Sequence, residues 1–237
     1  MQICSTVTSP NFGPRPEGQR PDMLLLHYTG MQSGAAALER LCDPAAQVSA
    51  HYLIEENGTI FQLVDETQRA WHAGLSCWGD NRDINSCSIG IEIVNPGHEW
   101  GYRAFPDAQM ISVIQLCQNI LARHAIPAER ILGHSDVAPL RKEDPGELFD
   151  WARLAHAGVG LWPETTDITQ DVTEQTFLEA LQRYGYDVDL AGLEEEKNRA
   201  AIIAFQRHFR PAKFDGLIDR ESCRILGSLL SRLDARS

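Results

Sequence analysis

The chain has 237 residues, of which 43% are hydrophobic, and its formal net charge is -12. A chain of this length can bury a sizeable core and has room for one large domain and a small one. The acidic charge argues against a nucleic-acid partner, and no apolar run approaches the roughly 20 residues that a transmembrane helix needs.

Strand and helix patterns alternate through about the first 160 residues. The apolar run at 23–28 predicts a buried strand, and strong helix formers at 34–42 predict a helix. Residues 51–64 form two β-rich arms around Asn57-Gly58, a sequence that predicts a hairpin.

The same alternation continues to about residue 133. An isoleucine-rich segment at 88–95 predicts a second buried strand, closed by Pro96-Gly97. Apolar residues recur at helical spacing across 107–125, which predicts an amphipathic helix, and 130–133 predicts a last short strand. Strands interleaved with helices predict an α/β domain whose central, mostly β-sheet layer is flanked by helices.

Glycine, proline and threonine at 158–167 are typical of a linker. Beyond them, apolar stripes predict three helices, at 174–186, 197–209 and 219–233, and hence a small all-α C-terminal domain. We therefore predict one domain over 1–163 and a helical domain over 164–237. The linker composition predicts few contacts between them, so that the first domain folds alone. The helical part shows no constellation of catalytic residues, which favours a role in binding or packing.

The six cysteines of the chain include no C-x-x-C pair, so a thiolate metal site is not expected. Cys77 and Cys87 could form a disulfide in an oxidising compartment. The first 21 residues lack a cationic region followed by an apolar one, the pattern of a secretory signal. Reduced thiols and the missing signal favour a cytoplasmic protein. A periplasmic or outer-membrane-associated protein is the alternative if a leader has been removed.

The stretch GHSDVAPLRKEDPG, at 133–146, sets a histidine, a lysine and an aspartate close together. Pro139 and Pro145 disfavour a regular helix there, so an ordinary exposed loop is the simplest interpretation. On that interpretation, Lys142 and Asp144 are solvated surface residues.

Other titratable residues stand on the predicted strands. His27 closes the strand at 23–28, Glu92 lies inside the one at 88–95, and His134 follows the last strand. Strand ends that converge on one rim of a sheet are where α/β domains usually build a site. Taken singly, each histidine is more often a hydrogen-bonded structural residue, and Glu92 could simply be solvated.

The order of several motifs, rather than any single residue, resembles a known family. HYTG, VSAHYLIEENGTIFQLV, RAWHAG, SIGIEIVN, GHSDVAPLRKEDPG and LFDWARLA resemble, in sequence order, the type-2 amidase family of zinc-dependent N-acetylmuramoyl-L-alanine amidases. The resemblance covers about residues 20 to 163. YGYDV, AFQRHFRP and DG in the C-terminal part resemble the peptidoglycan-binding-like helical module of some members. Together they resemble the branch typified by an outer-membrane lipoprotein amidase.

The resemblance implies roles for individual residues. His27, His134 and Asp144 would bind one zinc ion, Glu92 would transfer protons, and Lys142 would face the reacting carbonyl. The implied reaction is hydrolysis of the amide between N-acetylmuramic acid, intact or anhydro, and L-alanine of the stem peptide in cell-wall turnover. The implied partners are muropeptides or the peptidoglycan sacculus.

Residues that flank these motifs are candidates for substrate contacts. Four are predicted to line a groove for sugar and stem peptide, although packing of ordinary loops is the alternative: Tyr28, Trp71, His72 and Asn95. His51 is predicted to be structural rather than a ligand. Distant relatives place a tyrosine just before the equivalent of His51, where this chain has Ala50, so Glu92 is the better candidate for proton transfer.

Two other functions compete with this interpretation. A peptidoglycan-recognition protein of the same fold would bind muropeptides without cleaving them, and it would be expected to lack a ligand or the acid/base residue. All five positions are filled here, which argues against it. A zinc peptidase is disfavoured because H-E-x-x-H is absent.

Overall fold

A mixed sheet forms the centre of the computed structural model, which describes residues 2–164 and 173–235. In these ranges six strands form one sheet in the order β1-β5-β4-β7-β3-β8, and β2 pairs with β6 separately. Only β4 and β5 are antiparallel in the large sheet, so the predicted hairpin is confirmed. The strands are β1 (Ile3–Cys4), β2 (Phe12–Pro14), β3 (Met23–Tyr28), β4 (Tyr52–Ile54), β5 (Ile60–Gln62), β6 (Gln68–Ala70), β7 (Ser88–Ile93) and β8 (Ile131–Gly133).

Helices flank this sheet, as predicted. They are α1 (Gly34–Cys42), α2 (Ile84–Cys87), α3 (Gly97–Trp100), α4 (Asp107–Leu121), α5 (His134–Val137), α6 (Trp151–His156), α7 (Glu174–Tyr184), α8 (Glu195–Phe209) and α9 (Arg220–Asp234), with short 3-10 turns at Pro44–Ala46 and Ala128–Arg130. The amphipathic helix predicted to reach Ala125 ends at Leu121, where the chain turns towards Pro127.

Strand β3, between β7 and β8, is buried on both faces, which explains its continuous apolar sequence. Because successive side chains of a strand point to opposite faces, Leu24 and Leu26 pack in one apolar cluster with α4. Met23 and Leu25 belong to a different cluster on the other face.

The cluster that contains Met23 and Leu25 also contains the apolar side chains of the C-terminal helices. Phe177, Leu181 and Phe205 are among its members and are at most 1% exposed. The prediction of few contacts between the two parts is therefore wrong, because α7 to α9 cover one face of the sheet. The division at residues 163 and 164 stays a prediction, and the segment predicted as a linker lies partly outside the described residues.

The three predicted C-terminal helices are confirmed, with ends close to those expected. Thr173 caps α7 by accepting a hydrogen bond from the Thr176 amide, and Asp219 caps α9 in the same way. Gly185 ends α7 at a φ of 137°, a conformation that a residue with a Cβ rarely adopts.

The loop prediction for 133–146 is wrong in one part, because α5 forms a single helical turn there. The turn ends at Val137, so Pro139 and Pro145 both lie beyond it. All six cysteines lie in the described residues and are free, so Cys77 and Cys87 form no disulfide. Over the same ranges, every helix is too short or too polar to cross a membrane.

Candidate active site

The site begins with the register of two parallel strands. His27, near the end of β3, pairs with Glu92 of β7, and the two strands run side by side from Met23 to Tyr28. Side chains at paired positions of neighbouring parallel strands point to the same face of the sheet. The register therefore places the imidazole and the carboxylate together, on the face that the C-terminal helices cover.

The segment after β8 brings two more groups to the same place. His134 opens α5, and the amide of Ser135 donates a hydrogen bond to the carbonyl oxygen of Asp144 at 2.9 Å. This bond fixes the end of the segment beside its beginning, so both side chains face the end of β3.

His27, His134 and Asp144 form a compact triangle of ligand atoms. The Nδ1 atoms of the two histidines are 2.9 Å apart, and each lies 3.1 Å from Oδ2 of Asp144. All three residues are buried. Ligands at about 2.0–2.2 Å from a tetrahedral metal are roughly 3.4 Å apart, so the triangle is close to one face of such a site.

Hydrogen bonds on the far side of each ring determine where the protons lie. Nε2 of His134 is 2.9 Å from the carbonyl oxygen of Ala73, which can only accept, so this nitrogen carries the proton. Ser88 donates its hydroxyl proton to the Ile84 carbonyl oxygen, so it accepts from Nε2 of His72. Nδ1 of His72 is then an acceptor.

That acceptor fixes the tautomer of His27, whose Nε2 lies 3.0 Å from Nδ1 of His72 and must donate to it. Both Nδ1 atoms of the triangle are therefore unprotonated, and their lone pairs face a carboxylate oxygen. Three converging electron pairs with no proton between them fit a bound cation, and outer hydrogen bonds of this kind orient histidine ligands in metal sites.

The electrostatics of the triangle agree with this arrangement. Burial, and then the neighbouring His134, lower the pKa of His27 to about 4, which keeps the ring neutral at pH 7. Burial opposes ionisation of Asp144, but His134 and His27 together hold its pKa well below its ordinary range. A neutral imidazole and a carboxylate are the forms that bind divalent transition metals.

Glu92 and Lys142 line the cavity that also contains the three candidate ligands. This cavity has a volume of about 700 Å³. Oε2 of Glu92 is shielded from solvent and has no hydrogen-bond partner among the described residues. Burial, and then the Asp144 carboxylate, raise the pKa of Glu92 well above its ordinary value, while Lys142 opposes the rise. A carboxyl group with a raised pKa is suited to proton transfer near neutral pH.

The four predicted groove residues divide in the structure. Tyr28, Trp71 and His72 lie along the cavity wall, although the ring of His72 is largely occupied by its bonds to His27 and Ser88. Asn95 lies outside the cavity lining and is fully buried. Its amide donates to the carbonyl oxygen of Arg103 and accepts from the amide of Gly97, so it holds the loop after β7 and does not contact a ligand in the cavity.

His51 has the structural role that the sequence predicts. Its Nδ1 accepts a hydrogen bond from the amide of Gly90, and Nε2 lies 3.1 Å from the carbonyl oxygen of Gln68. Position 90 must be a glycine, because a Cβ there would lie 2.5 Å from the ring of His72. Gly90 thus makes room for the ring that orients His27.

The C-terminal part contributes to the site in two ways that were not predicted: α8 lines the cavity, and Tyr186 and His208 bind a buried aspartate beside His134. Ala200, Ile203 and Arg207 of α8 line the cavity. Asp136, two positions after His134, is fully buried and accepts hydrogen bonds from Tyr186 and His208. Helical spacing places 200, 203 and 207 on one face, but that pattern does not show which surface the face covers.

With this geometry established, comparison with known proteins identifies the family. A family profile described as N-acetylmuramoyl-L-alanine amidase matches residues 17–147, more than half of the chain. The chain belongs to this amidase family. It is 38% identical over 234 residues to N-acetylmuramoyl-L-alanine amidase AmiD of Escherichia coli, covering 90% of this chain and 83% of that one.

Other relatives agree. The 1,6-anhydro-N-acetylmuramyl-L-alanine amidase AmpD of Haemophilus influenzae is 36% identical, over 63% of this chain and 89% of its own. The structure of E. coli AmiD with anhydro-N-acetylmuramic acid-L-Ala-D-gamma-Glu-L-Lys matches with a TM-score of 0.81 at 36% identity, over 92% of both chains. AmpDh3 of Pseudomonas aeruginosa with an anhydromuramic pentapeptide matches with a TM-score of 0.84 at 35% identity, over 92% and 94%.

These matches confirm the predicted family, fold class and enzymatic activity. The amidase is a hydrolase of peptidoglycan turnover, with a mixed sheet flanked by helices and further helices at its C-terminal end. The alternative of a recognition protein without activity is not supported.

Proposed function

We propose that His27, His134 and Asp144 bind one zinc ion, and that the amidase cleaves the bond between N-acetylmuramic acid and L-alanine in muropeptides with an L-Ala-D-γ-Glu stem. The triangle of two Nδ1 lone pairs and one carboxylate oxygen, 2.9 to 3.1 Å apart, is the observation that carries the proposal. The stem of the muropeptide bound by E. coli AmiD, and the anhydromuramic pentapeptide bound by AmpDh3, support this substrate class.

Each remaining residue of the cavity has a part in this proposal. When bound, zinc supplies a water of lowered pKa and polarises a carbonyl oxygen. Glu92, with its unpartnered Oε2, takes the proton of the attacking water and returns it to the departing amine of L-alanine. Lys142 lines the same cavity and stabilises the negative charge that develops on the carbonyl oxygen.

Product analysis tests the reaction. Purified amidase is incubated with N-acetylmuramoyl-L-Ala-D-γ-Glu-L-Lys and, separately, with its 1,6-anhydro form, each with and without a metal chelator. We expect free stem peptide from one or both substrates, with its release stopped by chelation and restored by added zinc. Cleavage that persists in a fully chelated sample would contradict the metal part of the proposal, and no cleavage of either substrate would contradict its substrate class.

Asp144→Ala is expected to remove most of the bound zinc, because the carboxylate supplies both a coordination bond and the only negative charge in the ligand triangle. Loss of outer-shell partners alone costs about 10- to 100-fold in metal affinity, so loss of a ligand should cost at least that much. Elemental analysis after dialysis measures the stoichiometry. Asp80→Ala, at an exposed aspartate, is the control and should keep about one zinc per chain. Full zinc retention in Asp144→Ala would remove Asp144 from the ligand set.

Lys142→Met is expected to lower kcat about 100-fold with little change in KM, because the ammonium charge matters most once the oxyanion has formed. The methionine side chain keeps most of the length of the lysine stem, so zinc content and melting temperature should not change. Lys142→Arg, which keeps the charge, is the matched control and should retain part of the activity. A rise in KM at constant kcat would instead make Lys142 a residue that binds the ground state.

A further inference from the structure

The C-terminal helix α8 forms one wall of the catalytic cavity. Ala200, Ile203 and Arg207 face the same space as His27 and Glu92. These three residues are three and four positions apart, so they lie on one face of the helix. Two of them are small or apolar, and Arg207 is the charged residue of this wall.

Neighbouring side chains hold Arg207 in place, but they leave one of its hydrogen-bond donors without an acceptor. The residue is 8% exposed, and its Nε is buried without a hydrogen-bond partner anywhere in the described part of the chain. Its nearest charged neighbours are Glu143 and Glu147, each with a carboxylate oxygen 3.9 Å from a guanidinium nitrogen. That separation is too long for a hydrogen bond, so both pairs are electrostatic contacts only.

The position of Arg207 relative to the metal group follows from these neighbours. Glu143 and Glu147 belong to the segment that contains Asp144. Phe214 lies on another side, with its ring centroid 5.2 Å from the central carbon of the guanidinium, and limits its movement. The guanidinium is thus fixed beside the ligand segment, and Arg207 is one of the residues that line the cavity.

A buried N–H group without an acceptor is destabilising, so such groups are uncommon in native proteins unless a ligand pairs with them. The planar guanidinium matches a carboxylate, with which it can form two parallel hydrogen bonds. Arg207 is outside the ligand triangle and has no part in the chemistry described above. An anionic group of the substrate is the partner that its geometry fits.

The substrate has one such group close to the bond that is cleaved. In an L-Ala-D-γ-Glu stem the glutamate is linked through its side chain, so its α-carboxylate stays free, one residue beyond the alanine. We propose that Arg207 of the C-terminal helix binds this α-carboxylate and makes the amidase selective for an acidic residue at that position. The inference rests on the proposed function, since it assumes that the muropeptide amide lies at the metal group.

The acidic neighbours of Arg207 do not prevent this contact. Both Glu143 and Glu147 lie within 3.3 Å of a ring nitrogen of His98, and Glu143 has 54% of its side chain exposed, where solvent screens its charge. Arg40 of α1 also lines the cavity, but its side chain is exposed. A buried guanidinium is screened less, which favours Arg207 over Arg40.

Two substrates that differ only at this carboxylate test the proposal. One is N-acetylmuramoyl-L-Ala-D-γ-Glu-L-Lys, and the other carries D-isoglutamine, in which a neutral carboxamide replaces the α-carboxylate. The wild-type amidase should cleave the acid with the higher kcat/KM. Arg207→Gln should raise KM for the acid about tenfold or more, which is the scale of a lost hydrogen bond to a charged group, and change KM for the amide little. Arg199→Gln, at an exposed arginine of the same helix, is the control and should match the wild type.

The other outcomes separate the alternatives. No preference in the wild type, or an equal loss on both substrates in Arg207→Gln, would overturn the proposal. Loss of the preference in Arg40→Gln instead would place the carboxylate at Arg40 and overturn the proposal. If Arg207→Gln does not fold, Arg207→Lys keeps the charge but not the planar fork, and its preference for the acid should shrink; an unchanged preference would overturn the proposal. Failure of the wild type to cleave either substrate would contradict the proposed function itself.

Discussion

A chain that ends at Glu164 is expected to lose cooperative folding. The truncation removes α7, α8 and α9, which cover the sheet face formed in part by Met23 and Leu25. Burial of one large apolar side chain contributes about 1.5–3 kcal/mol, and many are lost together, whereas a whole domain is stable by only about 5–15 kcal/mol. The remaining chain would expose a wide apolar surface.

The truncation would also remove two polar contacts beneath the ligand segment. The hydroxyl of Tyr186 donates to Oδ1 of Asp136 at 2.6 Å, and Nδ1 of His208 lies 2.7 Å from Oδ2. Asp136 is 1% exposed and would keep only the amide of Gly133 as a partner for its carboxylate. Because His134 is two positions away, loss of these contacts should weaken zinc binding as well as stability.

Thermal unfolding and zinc content, measured on the truncated and the full chain, check this expectation. The truncated chain should show a broad or absent transition and less than one zinc per chain. In the full chain Phe177→Ala should lower the free energy of unfolding by about 3–5 kcal/mol, since the side chain is 1% exposed. Leu193→Ala, at a leucine that is 86% exposed, is the control and should change it little. A truncated chain with a sharp transition and full zinc content would show that the first 164 residues fold alone.

Local patterns were sufficient to predict most elements of the fold. The two β-rich arms around Asn57-Gly58 and the helical spacing in α4 are short-range properties of the sequence. The packing of α8 is different, because an apolar stripe shows that a helix buries one face but not which surface it meets. For this reason the shared core and the cavity wall at Arg207 could not be predicted.

The candidate site was predictable only in part for a similar reason. The resemblance supplied all five residues, Glu92 and Lys142 included, while the register of β3 and β7 that places Glu92 beside His27 is a property of the folded sheet. Asn95 shows the limit of arguing from proximity in sequence, because its amide is used by the backbone of its own loop.

Glu92→Gln is expected to abolish most turnover while zinc stays bound. The substitution keeps the size of the side chain and its place on β7, but an amide cannot accept the proton of the attacking water. Oε2 of Glu92 is shielded and unpartnered, so the carboxylate is not held by any group that the substitution would leave without a partner. The fold should therefore tolerate the change, and the melting temperature should stay near that of the wild type.

The expected loss in kcat is about 10²- to 10⁴-fold, the range for removal of a positioned general acid or base. Kinetics on a soluble muropeptide, with zinc measured on the same sample, separate loss of proton transfer from loss of metal. Glu99→Gln, at an exposed glutamate of α3, is the control and should retain full activity. Adding Lys142→Met to Glu92→Gln should reduce kcat by less than the product of the two single effects, because both residues act on one transition state. Near-normal kcat in zinc-loaded Glu92→Gln would mean that another group transfers the proton, and His72, whose ring contacts His27, would be the next residue to substitute.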